Sequence, residues 1–242
     1  MEGVVMGLYI KDLNKKFDTL TLFKDFSIKL EESTITCILG PSGCGKTTLL
    51  NIIGGITEPE SGSLIGFDNK VFSYIFQEPR LLPWKTVREN IEFVLDESLS
   101  RHEKRKQALD LIRLVDLENF AAYYPSQLSG GMRQRVSIAR AFACHSDIIL
   151  MDEPLSGLDV TLKQSMINWF SGIWRADRRT VIFVTHNVDE ALMLGNEVVV
   201  LSKAPVSIIT RELISEPTGE RNPEDLHMKA LKQKLLEALD QK

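Results

Sequence analysis

Nine residues, Gly40-Pro41-Ser42-Gly43-Cys44-Gly45-Lys46-Thr47-Thr48, stand between the run Ile35-Thr36-Cys37-Ile38-Leu39 and the run Leu49-Leu50-Asn51-Ile52-Ile53. A glycine-rich loop in that position joins a buried strand to a helix, which commits the chain to an α/β fold. Gly40, Gly43 and Gly45 can adopt backbone angles closed to residues with a Cβ. Consecutive N–H groups can then converge on one anion at the positive end of the following helix. Lys46 adds a mobile full charge directed at the β- and γ-phosphates. Thr47 supplies a hydroxyl suited to Mg²⁺, and Thr48 stands one step behind it. Four fixed residue types in a strand-loop-helix setting set aside a Gly/Ser loop with a chance lysine. The loop reads as a cradle for a nucleoside triphosphate.

The 242 residues, 43% hydrophobic and 26% charged, suffice for one large α/β unit or two smaller ones. A net charge of −4 argues against a generalised nucleic-acid-binding surface. Cys37, Cys44 and Cys144 are odd in number and lack metal-ligand spacing, which fits a reducing compartment. No apolar run approaches the ~20 residues that cross a bilayer. The amino-terminal stretch has neither a long apolar core nor a cleavage site, so a cytoplasmic protein is expected.

Apolar clusters at 8–10 and 26–30 lead into 35–39 and make the first third strand-rich, with a short strand expected at 71–76. From 86 to 117 the pattern turns helical. Ala108, Leu111, Ile112 and Val115 recur at helical spacing within a subdomain expected over about 86–145. The runs 148–151 and 181–184 are almost wholly apolar and end at polar residues, as central parallel strands do, so their carboxyl ends should line the ligand crevice. Between them 158–174 reads as a helix. Strands at 198–201 and 208–209 follow, and a helix over about 223–242 carries Met228, Leu231, Leu235 and Leu239 on one face, suited to packing on its own domain.

Three further groups carry chemistry. Leu128-Ser129-Gly130-Gly131-Met132 opens a helix, and its free N–H groups suit a second phosphate contact. Asp152 ends a central strand, where a carboxylate can reach a Mg²⁺ held by Thr47, and Glu153 beside it can accept a proton from an attacking water. His186 follows the neighbouring strand and can reach the γ-phosphate. Taken singly, Glu153 also suits a helix cap, His186 a hydrogen-bonded turn, and Ser129 an N-cap.

In this order, residues 40–47, Gln77, 128–134, Asp152-Glu153, Ser156-Gly157-Leu158-Asp159 and His186 resemble the ATP-binding cassette (ABC) ATPase family across nearly the whole chain. The resemblance implies one ABC ATPase domain over 1–242: a P-loop NTPase, RecA-like α/β core with an antiparallel β subdomain and a helical signature subdomain. Two copies would sandwich two ATP molecules head to tail. By matching motif, Phe17 would stack on adenine, and residues 40–48 would hold phosphates and Mg²⁺. Gln77 would contact the metal or the attacking water, Asp152 would serve Mg²⁺ and Glu153 would be the catalytic base. Ser129, Gly130 and Gly131 would meet the ATP of the opposite subunit, Asp159 would link the two sites, and His186 would steady the transferred phosphoryl group.

The segment Gln77-Glu78-Pro79-Arg80-Leu81-Leu82-Pro83-Trp84 is held extended by two prolines and presents Leu81, Leu82 and Trp84 as a docking surface. FQEPRLLPW and TVRENI are similar to the nitrate, sulfonate and taurine importer ATPases, where this stretch receives the membrane permease. That implies a peripheral subunit on the cytoplasmic face of the membrane, linked through the permease to a substrate-binding protein, with no nucleic-acid partner. The alternatives are a non-transport ABC ATPase acting as a soluble scaffold, or a DNA-repair ATPase. Long coiled-coil insertions and zinc-binding cysteine pairs, usual in the latter, are missing from the sequence. Ser33-Thr34 and Asn187 depart from common family residues, and the stretch 62–77 is short enough to have lost a β hairpin.

Overall fold

A computed structural model describes residues 7–240. The hairpin β1 (Leu8–Phe17) and β2 (Leu20–Leu30) comes first, and β3 (Ile35–Leu39) then runs through the glycine loop into α1 (Lys46–Ile53). β4 (Ser61–Ile65) and β5 (Phe72–Ile75) follow, then α2 (Val87–Glu92), α3 (Arg101–Leu114) and α4 (Gly130–Ala143). β6 (Ile148–Asp152), α5 (Val160–Ala176), β7 (Thr180–Thr185), α6 (Val188–Leu194), β8 (Glu197–Leu201), β9 (Ile208–Leu213) and α7 (Leu226–Asp240) complete the order.

Six strands lie in the order β5-β6-β7-β3-β8-β9; the first five are parallel and β9 returns antiparallel. β2, β1 and β4 form a separate antiparallel sheet. Every residue of β3, β6, β7 and β8 is buried, as in a sheet covered on both faces. Successive side chains point to opposite faces. Cys37, Met151, Phe183 and Val200 therefore join a core with α5, α6 and α7, while Ile38, Leu150, Ile182 and Val199 join another with α1 and the antiparallel sheet. A third cluster, around Ile91, Ile112 and Val136, binds α2, α3 and α4 to one another.

Helices α2 to α6 each start at a side-chain cap. Thr86 with Glu89 and Ser100 with Glu103 form capping boxes that begin α2 and α3. Asp159 accepts the Leu162 N–H at 2.9 Å, so α5 begins at Val160 and not at 158. Two elements escaped the sequence reading. β4 is Ser-Gly-Ser-Leu-Ile, without alternation, and owes its extended state to pairing with β1. α6 is a seven-residue helix capped by Asn187. Only β4 lies between α1 and β5, in keeping with a missing hairpin. β9 runs four residues beyond the expected 208–209 because its antiparallel pairing to β8 continues to Leu213. Met228, Leu231, Leu235 and Ala238 of α7 are buried in the core, so the helix packs on its own chain; residues 241–242 lie outside the described ones.

Candidate functional site

β6, β7 and β3 are neighbours whose carboxyl ends align: Leu39 pairs with Thr185, and Asp152 with Val184. The loops leaving these ends meet at one edge of the sheet, where ligands of open α/β folds bind. A cleft of about 560 Å³ opens there. It is lined by Ser42, Gly43, Gly45, Lys46, Thr47, Thr48, Gln77, Glu153 and His186, and by Phe17.

Gly43 and Gly45 hold φ of 78° and 102°, left-handed angles that a side chain resists. Gly45 caps α1 directly, so the helix amino terminus faces the cleft. Gly40 is glycine for space: a Cβ there would stand 2.8 Å from Cys44 Sγ. Cys44 is itself buried in the core beneath the loop, and burial raises its thiol pKa. It gives the site backbone and no side chain. Lys46 is also buried, its Nζ donating to the carbonyls of Gly40 at 2.8 Å and Pro41 at 2.9 Å. The ammonium is thereby held against its own loop.

The Thr47 hydroxyl donates to Asp152 Oδ1 at 3.0 Å, across 105 residues of sequence. Burial pushes the Asp152 carboxyl above its usual range, and neighbouring Glu153 pushes the same way, while the Thr47 hydrogen bond and Lys46 oppose them. Glu153 has a left-handed backbone, φ 44°, and its N–H donates to the Val184 carbonyl at 3.0 Å. Its Oε1 lies 2.9 Å from His186 Nδ1. An ionised carboxylate only accepts, so Nδ1 carries the hydrogen of this contact and Nε2 of the half-exposed ring is left for another partner.

Phe17 is 47% exposed, with Lys15 Nζ 5.2 Å from its ring centroid. Leu20, opposite Phe17 across the β1–β2 turn, and Leu22 also line the cleft; neither was foreseen, although the hairpin pairing was the available signal. Ser129, Gly130, Gly131 and Asp159 do not line it. Ser129 caps α4 by accepting the Met132 N–H, and Gly131 packs where a Cβ would stand 2.9 Å from Leu162 Cδ2.

The Pro-rich segment differs in detail from expectation. Trp84 is 70% exposed and Phe93 is exposed as well, but Leu81 turns inward onto the α2–α4 cluster and Leu82 is half-buried. Buried Asn90 fastens the segment, accepting the Leu82 N–H at 2.8 Å and donating to the Lys85 carbonyl at 3.0 Å. Arg80 stacks over Phe76 at 3.8 Å.

The ABC transporter family profile matches residues 23–156. The chain belongs to the ABC transporter family. A nitrate import ATP-binding protein, NrtD, of Synechocystis sp. is 37% identical to this ABC chain over 231 residues, 91% of the chain and 87% of the relative. A taurine import ATP-binding protein, TauB, of Rhizobium johnstonii is 42% identical over 193 residues, 76% of the chain and 73% of the relative. The dimeric structure of MJ0796, a bacterial ABC transporter cassette, superposes with a TM-score of 0.76 at 30% identity, covering 86% of this chain and 99% of that one. The same cassette in a post-hydrolysis state with ADP and Pi superposes at 0.73. The α/β core with its antiparallel sheet and helices is thus an ABC cassette, and the chain is an ATP-binding, ATP-hydrolysing, energy-coupling subunit. No helix among the described residues is long and apolar enough to cross a membrane.

Proposed function

We propose that this chain is the motor of an importer for a small solute of the nitrate, sulfonate or taurine kind, working as an ATP-sandwiched pair of copies beneath a membrane permease. The observation that carries this is the division of the site. The cradle, Glu153 and His186 line one cleft, while Ser129 to Gly131 stand at a helix end outside it. In the closed pair that helix end of one copy completes the cleft of the other, with Ser129, Gly130 and Gly131 on the γ-phosphate and Asp159 between the two sites. ATP binding then favours closure and hydrolysis releases it.

The Thr47 hydroxyl and the Asp152 carboxylate are hard oxygen donors 3.0 Å apart, a donor set that fits Mg²⁺. With Gln77 they would hold the ion, which neutralises phosphate charge when bound. Residues 40–48 bind the phosphates through backbone N–H groups, and Lys46 exchanges its carbonyl partners for phosphate oxygens. Phe17 stacks on the adenine. Glu153 takes the proton of the attacking water, and His186, oriented by Glu153, presents Nε2 toward the γ-phosphate. Trp84 and its neighbours, held by Asn90, receive the permease, which places the subunit on the cytoplasmic face of the membrane. The permease and its substrate-binding protein choose the solute.

Replacing Ser129 with Arg tests the shared site. ATP binding by the separate copy persists, while hydrolysis and ATP-dependent pairing in size-exclusion chromatography disappear. Full turnover by that variant as a monomer would overturn the proposal. A purification from detergent extract that brought down no multispanning membrane protein would remove the transport role.

A further inference from the structure

We propose that Lys163, Glu190 and Thr185 form a positioning bridge that ties the helix beginning at Asp159 to the turn carrying His186, so that His186 is correctly placed only when that helix is. The proposal rests on the roles given above to His186 and Glu153.

Glu190, on α6, is 4% exposed and is bound at both oxygens. Its Oε2 accepts the Thr185 hydroxyl at 2.8 Å and its Oε1 accepts Lys163 Nζ at 2.8 Å. Thr185 and Asn187 flank His186, and the network closes around it. The Thr185 hydroxyl accepts the Asn187 N–H at 3.0 Å, and Asn187 Oδ1 accepts the Glu190 N–H at 3.1 Å. The residues on either side of His186 are therefore both tied to Glu190, Thr185 through its carboxylate and Asn187 through its backbone N–H, while the ring itself reaches out to Glu153.

Lys163 stands in the first turn of α5, and its own N–H donates to the Asp159 carbonyl at 2.9 Å. Its contact with Glu190 is the one side-chain hydrogen bond between α5 and α6 among the described residues. A displacement of the α5 amino terminus, such as closure against a second copy would impose on Asp159, reaches the His186 turn through this pair. Burying an ion pair seldom adds net stability over well-packed apolar residues. None of the three side chains lines the nucleotide cleft, so the bridge acts on the placement of His186 and not on ATP affinity.

The test is steady-state hydrolysis by the full chain with ATP and Mg²⁺, comparing Lys163→Met, Lys163→Arg, Glu190→Gln and the Lys163→Met/Glu190→Gln double variant. Lys163→Met and Glu190→Gln should each lower kcat on the order of tenfold, since small misplacements of a catalytic group are costly. KM for ATP should stay within about twofold, because the bound nucleotide is not touched. Lys163→Arg, which keeps the charge and the donor, should restore most of kcat. The double variant should be no slower than the slower single one, as expected of residues acting as a unit. Lys163 is a quarter exposed, so Lys163→Met carries the test if Glu190→Gln fails to fold. Wild-type kcat in Lys163→Met, losses that multiply in the double variant, or a raised KM with kcat intact would each overturn the bridge. Glu153→Gln run alongside separates the two levels. If it hydrolyses ATP normally, the role given to Glu153 falls; if it is silent while Lys163→Met runs at full speed, the bridge alone falls.

Discussion

Glu153→Gln isolates the chemical step, because the substitution removes basicity and little else. The side chain is largely buried and meets His186 Nδ1 at 2.9 Å. Gln keeps the volume and an acceptor oxygen for that hydrogen bond. Its backbone tolerates φ 44° at about the cost Glu already bears, with the N–H bond to Val184 unchanged. Stability should shift by no more than about 0.5 kcal/mol, and binding of a fluorescent ATP analogue should hold within about twofold. General-base catalysis contributes roughly 10²- to 10⁴-fold. At about 1.36 kcal/mol per decade, the barrier should rise by about 2.7–5.4 kcal/mol. Single-turnover hydrolysis of radiolabelled ATP measures this directly, and size-exclusion chromatography should show ATP-bound pairs that no longer separate. Hydrolysis within threefold of the unsubstituted chain would refute the assignment of the base. Equal loss of ATP binding would show Glu153 to be part of the cradle instead.

Gly62→Ala should destabilise the chain by about 3 kcal/mol, because φ is 112° and a Cβ would stand 2.7 Å from Leu13 Cα and 2.9 Å from the carbonyl oxygens of Asp12 and Lys11. All three are backbone atoms of β1, so a lower urea midpoint at unchanged slope is the expected result. Leu235→Ala should cost about 2–5 kcal/mol, since the side chain is fully buried; a wild-type unfolding curve would instead make α7 an appendage awaiting a partner. Trp84→Ala should change stability by less than about 0.5 kcal/mol and leave the isolated chain's ATP turnover alone, while a co-expressed permease no longer co-purifies.

The strands that carry the site were legible because a sheet covered on both faces demands unbroken apolar runs, and 35–39, 148–151 and 181–184 supply them. The glycine loop was legible because few sequences satisfy its backbone angles. β4 was not, since Ser61-Gly62-Ser63 has no period of its own and is a strand only through its partner β1. Leu81 was misjudged because a Pro-rich segment does not announce which of its apolar residues will find the neighbouring helices. The Lys163–Glu190 contact spans 27 residues and forms only through tertiary packing, so no linear pattern pairs the two residues.

The least legible feature is also the one on which the chemistry turns. In an extended strand, adjacent side chains face opposite ways, so Asp152 and Glu153 at the end of β6 ought to serve opposite faces of the sheet. Both serve the cleft edge: Asp152 meets Thr47, and Glu153 meets His186. The left-handed backbone at Glu153 breaks the alternation, and the N–H bond to the Val184 carbonyl holds that break in place. A residue type and a position were enough to nominate two neighbouring carboxylates. Their division into one that faces the Thr47 hydroxyl and one that faces an imidazole depends on a single strained torsion, and such strain persists only where the surrounding structure over-determines it.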